Sequence, residues 1–128
     1  MSAREDFQYA IVRVVPHVER GECLNAGVVL FCRRLGFLGA KTELDEAALA
    51  AVAPDCEPDA IRAHLATLER VAAGAEDGGP IAALDPSERF HWLTAPSSTI
   101  VQSSAVHTGL TSDPAGELEH LFERLVSR

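Results

Sequence analysis

Residues 9–41 read YAIVRVVPHVERGECLNAGVVLFCRRLGFLGAK, and this stretch restricts the fold more than any other. Two runs rich in Val, Ile, Leu and Phe flank a polar connection from His17 to Asn25, and a third short run follows. Branched and aromatic residues in short runs bounded by turn formers are strand signals. Gln8 to Val15 is expected as the first strand, ended by Pro16, which has no N–H to give a ladder. Tyr9, Ile11, Arg13 and Val15 fall on one face, and Ala10, Val12 and Val14 on the other. Both faces are mostly apolar, so both call for at least partial cover. Arg13 is the exception, and a charge there needs a partner or an exit to solvent. Asn25 to Arg33 is the second strand, again apolar on both faces. Gly27 near its start predicts a bulge or a close backbone approach. A tight turn at Arg33-Arg34-Leu35-Gly36 leads to a third strand, Phe37 to Thr42.

The rest of the chain reads as helices with one more strand. Asp45 caps a short helix, Glu46 to Ala53, and Pro54 stops it. In the helix Asp59 to Ala73, the residues Ile61, Leu65, Leu68 and Ala72 form one apolar stripe, and Gly74 closes it. Ala75 to Pro80 is a flexible loop. Asp85-Pro86-Ser87-Glu88 starts a helix that runs to Leu93. Thr99 to Val106 has strand composition, ending at His107-Thr108-Gly109. Asp113-Pro114 opens a final helix, Ala115 to Val126, with an apolar stripe through Leu118, Leu121, Phe122, Leu125 and Val126. The expected fold is α+β: an antiparallel sheet of about four strands, a meander of three plus one later strand, with helices packed on one face. At 128 residues this is expected to be a single domain, with residues 1–6 a mobile terminus.

Charge and cysteine content narrow the function classes. The net charge of −8 argues against a nucleic-acid surface, which normally shows a basic face. The charge is uneven, with six basic and five acidic side chains in residues 1–43, against five and fourteen in residues 44–128. An apolar run long enough to span a membrane is absent, as is an apolar signal region behind the charged start. Cys23, Cys32 and Cys56 are odd in number and widely spaced, which suits free thiols in a reducing cytoplasm. One lysine against ten arginines in an alanine-rich chain points to a GC-rich bacterial source.

Two polar constellations interrupt the apolar pattern. The first is Arg13, Pro16, Arg20, Glu22, Asn25 and Gly27. Arg13, Arg20 and Asn25 at strand ends form a candidate phosphate or carboxylate site, because an arginine fork donates two hydrogen bonds to a planar anion. The alternative, ranked ahead, is structural: an Arg20–Glu22 turn ion pair, Asn25 closing loop backbone, and Arg13 paired with a helix acid. The second constellation runs from Trp92 to Thr111 and concentrates Ser97, Ser98, Thr99, Gln102, Ser103, Ser104, His107 and Thr108. Such groups line a pocket, satisfy one another or face water. His107 is a candidate general base, but no Gly-x-Ser-x-Gly elbow accompanies it, so no residue is assigned a catalytic role. The five histidines occur singly, without metal-ligand spacing, and no phosphate-binding glycine loop or other cofactor motif is present. The ligand-site candidates are therefore Arg13, Arg20, Asn25, Gln102, Ser103 and His107, with no metal and no cofactor expected.

Together these segments, YAIVRVVPHVERGECLNAGVVLFC and RFHWLTAPSSTIVQSSAVHTGLTSDP, resemble the bacterial family known as domain of unknown function 3037. The resemblance rests on Arg13, Pro16, Arg20, Glu22, Asn25, Gly27 and Val28, and on Trp92, Gln102, His107, Gly109, Asp113 and Pro114. Ser97 departs from it, since members often carry an arginine after the Ala-Pro pair, and that departure weakens an anion site. The resemblance brings no assigned activity. Because genes of this family often lie beside those of HipA-like Ser/Thr kinases, it implies an accessory or partner-binding role, which the lack of a complete catalytic motif makes a non-enzymatic one; the alternative is a small-anion-binding protein or enzyme built on Arg13, Arg20, Asn25, Gln102 and His107.

Overall fold

The computed structural model describes residues 3–97 and 99–127. Its sheet follows from the first apolar block. β1 (Glu5–Val14) pairs antiparallel with β2 (Leu24–Cys32), and β2 pairs antiparallel with β3 (Phe37–Thr42). β1 begins three residues before the expected Gln8. Glu5 and Asp6, expected in the terminus, instead face Thr111 and Leu110 across a strand pair.

The sheet has five strands rather than about four. The expected strand Thr99 to Val106 shrinks to β4 (Val101–Ser103), and the chain then rejoins β1 as β5 (His107–Thr111). Ser104 makes the break. Its N–H donates to the Ile11 carbonyl at 2.8 Å, while its hydroxyl oxygen accepts from the Ile11 N–H, also at 2.8 Å. A side-chain oxygen thus replaces a ladder carbonyl, and the strand bends there. The strand order is β3-β2-β1-β4, with β5 beside the first half of β1 and β4 beside the second.

A register shift between Val12 and Arg13 organises the faces. Val12 lies opposite Gly27, but Arg13 lies opposite Asn25, so Ala26 is an extra residue in β2. Both readings of Gly27 hold, because β3 also passes close to it: a Cβ on Gly27 would stand 2.8 Å from the Lys41 carbonyl oxygen.

Helices cover both faces of the sheet, which corrects the one-sided expectation. α1 (Glu46–Val52), α2 (Pro58–Ala73) and α3 (Pro86–Leu93) lie on one side. Their Leu49, Ile61, Leu65, Leu68, Phe90 and Leu93 pack with Val12, Val14, Val29 and Phe31. α4 (Pro114–Leu125) lies on the other, where Leu118, Leu121 and Phe122 pack with Phe7, Val28, Leu30 and Cys32. The physical reason is the β2 sequence. Successive residues from Val28 to Cys32 are all buried, and neighbours on a strand point to opposite faces, so each face needs its own cover.

The helix starts work as their residues suggest. Asp45, Asp85 and Asp113 each accept from a backbone N–H three residues on, at 2.9, 3.0 and 3.1 Å. Gly74 ends α2 in the left-handed conformation, at φ +67°.

Candidate functional site

Strand pairing sets three of the expected polar residues in one row. Asn25 of β2, Arg13 of β1 and Gln102 of β4 are cross-strand neighbours. The row faces the α4 side, since the Asn25 Nδ2 donates to the Leu125 carbonyl at 3.0 Å. That bond ties the last turn of α4 to the sheet and satisfies one of its otherwise unpaired carbonyls. The C-terminal end of a helix favours a cation, so α4 suits an arginine beneath it.

Arg13 itself is half-buried, and its Nε is buried without a hydrogen-bond partner among the described residues. Both amides beside it are already engaged: Asn25 with α4, and Gln102 through its Nε2, which donates to the Thr99 carbonyl at 2.7 Å. The row therefore presents one unsatisfied donor between two anchored side chains. A buried donor left unpaired costs roughly 1–3 kcal/mol and asks for an explanation.

The other candidates lie apart from that row. Arg20 stands in a short turn, Val18–Arg20, and its Nε is 2.6 Å from Glu22 Oε1, with both side chains largely exposed. This is the turn ion pair weighed as the structural reading. His107 pairs with Tyr9, four residues along β1 from Arg13, or about 13 Å at the usual strand rise. It is exposed, and its ring centroid lies 5.3 Å from that of Tyr9. Ser103 lies opposite Val12, so it belongs to the other face of the sheet. Ser98 lies outside the described residues.

On that other face the second constellation lines a cleft of about 290 Å³ between α2, α3 and β4. Val12, Leu68, Leu93 and Val101 form an apolar floor, while Trp92 stands at the side with 41% of its surface exposed. His64 of α2, which was not among the candidate site residues, also lines this cleft.

A third feature was not expected at all. β5 pairs with β1 on one side and with no strand on its other side among the described residues. It carries no charged side chain and no proline. Leu110 is 56% exposed, more than any other large apolar residue described. On the same face, Asp6, Gln8 and Thr108 are also exposed, so helical cover stops short of this end of the sheet. The sequence signal was a single leucine in a Gly/Thr segment, too short to show alternation.

Ionisable groups outside the row take part in structure. The hydrogen bond from Lys41 to Glu119 raises the lysine above its ordinary pKa and ties β3 to α4. The Glu88 N–H holds the Asp85 carboxyl below its usual range, and the Asp85 carboxylate in turn raises Glu88. Among the described residues no group of three or more His, Cys, Asp or Glu could hold a metal ion. No described helix is long and apolar enough to cross a membrane.

A family model described as "Protein of unknown function (DUF3037)" matches residues 9–126. No curated protein and no solved structure matches the chain.

Proposed function

The chain belongs to the DUF3037 family, and from that premise we propose that it is a non-enzymatic accessory protein that binds a HipA-like Ser/Thr kinase by accepting an extended kinase segment at the free edge of β5. The observation that carries this reading is the edge itself. A strand with unpaired N–H and C=O groups is a template for another strand, and proteins usually blunt such edges with lysine, proline or a bulge. The β5 segment HTGLT has none of the first two and keeps a regular register with β1. In strand addition, main-chain hydrogen bonds supply affinity and alternate side chains supply choice of partner. Leu110, exposed on the uncovered face, is the apolar anchor for that choice. The kinase as partner rests on the family resemblance, and the free cysteines Cys23, Cys32 and Cys56 support a cytoplasmic setting for it.

The test is size-exclusion chromatography of the purified chain with a HipA-like Ser/Thr kinase of the same source. Co-elution at micromolar concentration is expected. Burying a leucine contributes roughly 1.5–3 kcal/mol, so Leu110→Lys should weaken binding by about 10-fold or more. Folding stability should stay within about 0.5 kcal/mol, because the site is on the surface. Failure of the wild-type pair to co-elute contradicts the proposal.

One observation favours a second reading, a small-anion site. The unpaired Arg13 Nε is the donor a phosphate or carboxylate would satisfy, with Asn25 and Gln102 at its flanks and Arg20 in the loop at the same end of the sheet. Ser103 and His107 would stay outside this smaller site. Thermal unfolding in phosphate tests it against chloride of equal ionic strength. At ten times its Kd, a ligand that binds only the native state stabilises by about 1.4 kcal/mol. That increment should appear in the wild type and vanish in Arg13→Met, which removes the buried donor but keeps much of the stem. An equal phosphate response in both proteins contradicts the site.

A further inference from the structure

We infer that two copies of this chain pair through β5, antiparallel about a two-fold axis at Gly109, and so close the edge while no other partner occupies it. This inference rests on the reading that the β5 edge accepts a strand, and it names the chain itself as a second occupant.

The direction of the backbone groups comes first. The Ile11 N–H donates to the Ser104 hydroxyl, and the Ile11 carbonyl accepts from the Ser104 N–H, so both groups point to the β4–β5 side of β1. Main-chain groups turn to alternate sides along an antiparallel strand. Tyr9, Phe7 and Glu5 therefore point to β5 as well, where His107, Gly109 and Thr111 are their partners. The Asp6 carbonyl agrees, since it turns the other way and accepts from Cys32 Sγ of β2 at 3.5 Å. On β5 the groups left pointing outward belong to Thr108 and Leu110, and both residues are exposed.

A second β5 matches that pattern. With Gly109 facing Gly109 of the second copy, Thr108 of each copy lies opposite Leu110 of the other. Each such pair then exchanges both of its hydrogen bonds, and no outward group is left over. The glycines form the non-hydrogen-bonded pair at the axis, where Cα atoms approach to about 4.5 Å and side chains crowd most. Glycine suits that place, because the Phe7 ring already lies 2.7 Å from where its Cβ would stand. Leu110, 56% exposed, gains Leu110 of the second copy as a diagonal neighbour.

Charge and space agree with the pairing. β5 holds no Asp, Glu, Lys or Arg, so no like charges meet across the axis. Asp6 neighbours Leu110, but the residue it faces along that row is Gln8 of the second copy, three strand spacings off, about 14 Å. α4 packs on β2 and β3, and α3 packs on β2, which keeps these helices over strands remote from the edge. One short strand per copy makes a small, transient interface. At low micromolar concentration the edge is therefore open to another strand.

Sedimentation equilibrium tests the pairing. Between about 5 and 500 µM the mean mass should rise from 13.7 kDa towards twice that value, with a Kd of about 10–100 µM. Thr108→Pro deletes an outward N–H that the ladder to β1 does not use, and it should weaken the dimer by at least about 10-fold. If that variant loses its far-UV circular dichroism, Leu110→Lys, which sets two cations diagonally across the axis, takes its place. Hydrogen exchange at the two ends of the concentration range should show protection gained at the Thr108 and Leu110 amides, while Gly109 and Thr111 keep what they have. The inference is overturned by a mass that stays at 13.7 kDa at about 500 µM, by a dimer that the folded variant leaves intact, or by no gain in protection at Thr108 and Leu110. A monomeric chain that still binds the kinase through β5 overturns self-pairing alone. A β5 dimer that the kinase does not enter supports self-pairing and removes the partner reading.

Discussion

Replacing Gly27 with valine is expected to leave little folded protein at room temperature, and even Gly27→Ala should destabilise by about 1–3 kcal/mol. The reason is space. A Cβ at this position would stand 2.8 Å from the Lys41 carbonyl oxygen, 2.8 Å from Thr42 Cγ2 and 3.2 Å from Thr42 Cα. Two of those atoms belong to the β3 backbone, which is held by the register with β2 from Gly27 to Cys32 on one side of the contact and by the Glu43 N–H donating to the Ala26 carbonyl at 2.8 Å on the other. Neither can move without breaking the ladder. An opposing effect exists, since alanine lowers the entropy of the unfolded chain and so adds about 0.4–1 kcal/mol where its geometry is tolerated. The clash is larger and sets the sign. Valine adds two methyls to the same crowded place, and a loss above about 3 kcal/mol is a large share of the roughly 5–15 kcal/mol available to a domain. Urea unfolding checks this: the midpoint of Gly27→Ala should fall with an unchanged slope. A neutral or stabilising alanine would mean that β3 does not approach as closely as described.

Leu30→Ala should cost about 2–5 kcal/mol, read as a drop in melting temperature of roughly 10 °C or more. Leu30 is fully buried, packed among Phe7, Leu118, Leu121 and Phe122 on the α4 side of the sheet. Its neighbour Val29, equally inaccessible, packs on the opposite side. If helices covered only one face, one of these two residues would be wet, and its truncation would cost little. Truncating Leu30 and, separately, Val29 therefore tests the two-sided cover. Large losses at both positions are expected, and a loss near zero at Leu30 would contradict the placement of α4.

Much of this fold was legible because its signals are local. The β2 run from Ala26 to Cys32 announced burial on both faces, and the three aspartate caps announced their helices. What escaped depended on partners far away in the chain. β5 contains a glycine and two threonines and reads as the end of a strand; it becomes one because it lies against the first half of β1. Gly109 shows why that pairing suits a glycine, since a Cβ there would stand 2.7 Å from the Phe7 ring. Ser104 read as one polar residue among many, yet its hydroxyl takes a backbone position and divides β4 from β5. The site residues followed the same rule. That Arg13, Asn25 and Gln102 form a row is a matter of register, and the extra residue Ala26 shifts that register. Without the shift, Asn25 would be aimed at the opposite face. The alternation of side chains also explains why the adjacent residues Gln102 and Ser103, grouped by sequence, serve different faces.

The measurement closest to the central claim is hydrogen exchange at the β5 amides, with and without the HipA-like kinase. Strand addition places a new ladder on the open side of β5, so outward-pointing amides within His107–Thr111 should gain protection when the kinase is added. Leu110→Lys should remove that gain. Complex formation with unchanged exchange across β5, and protection appearing elsewhere on the chain, would contradict the account.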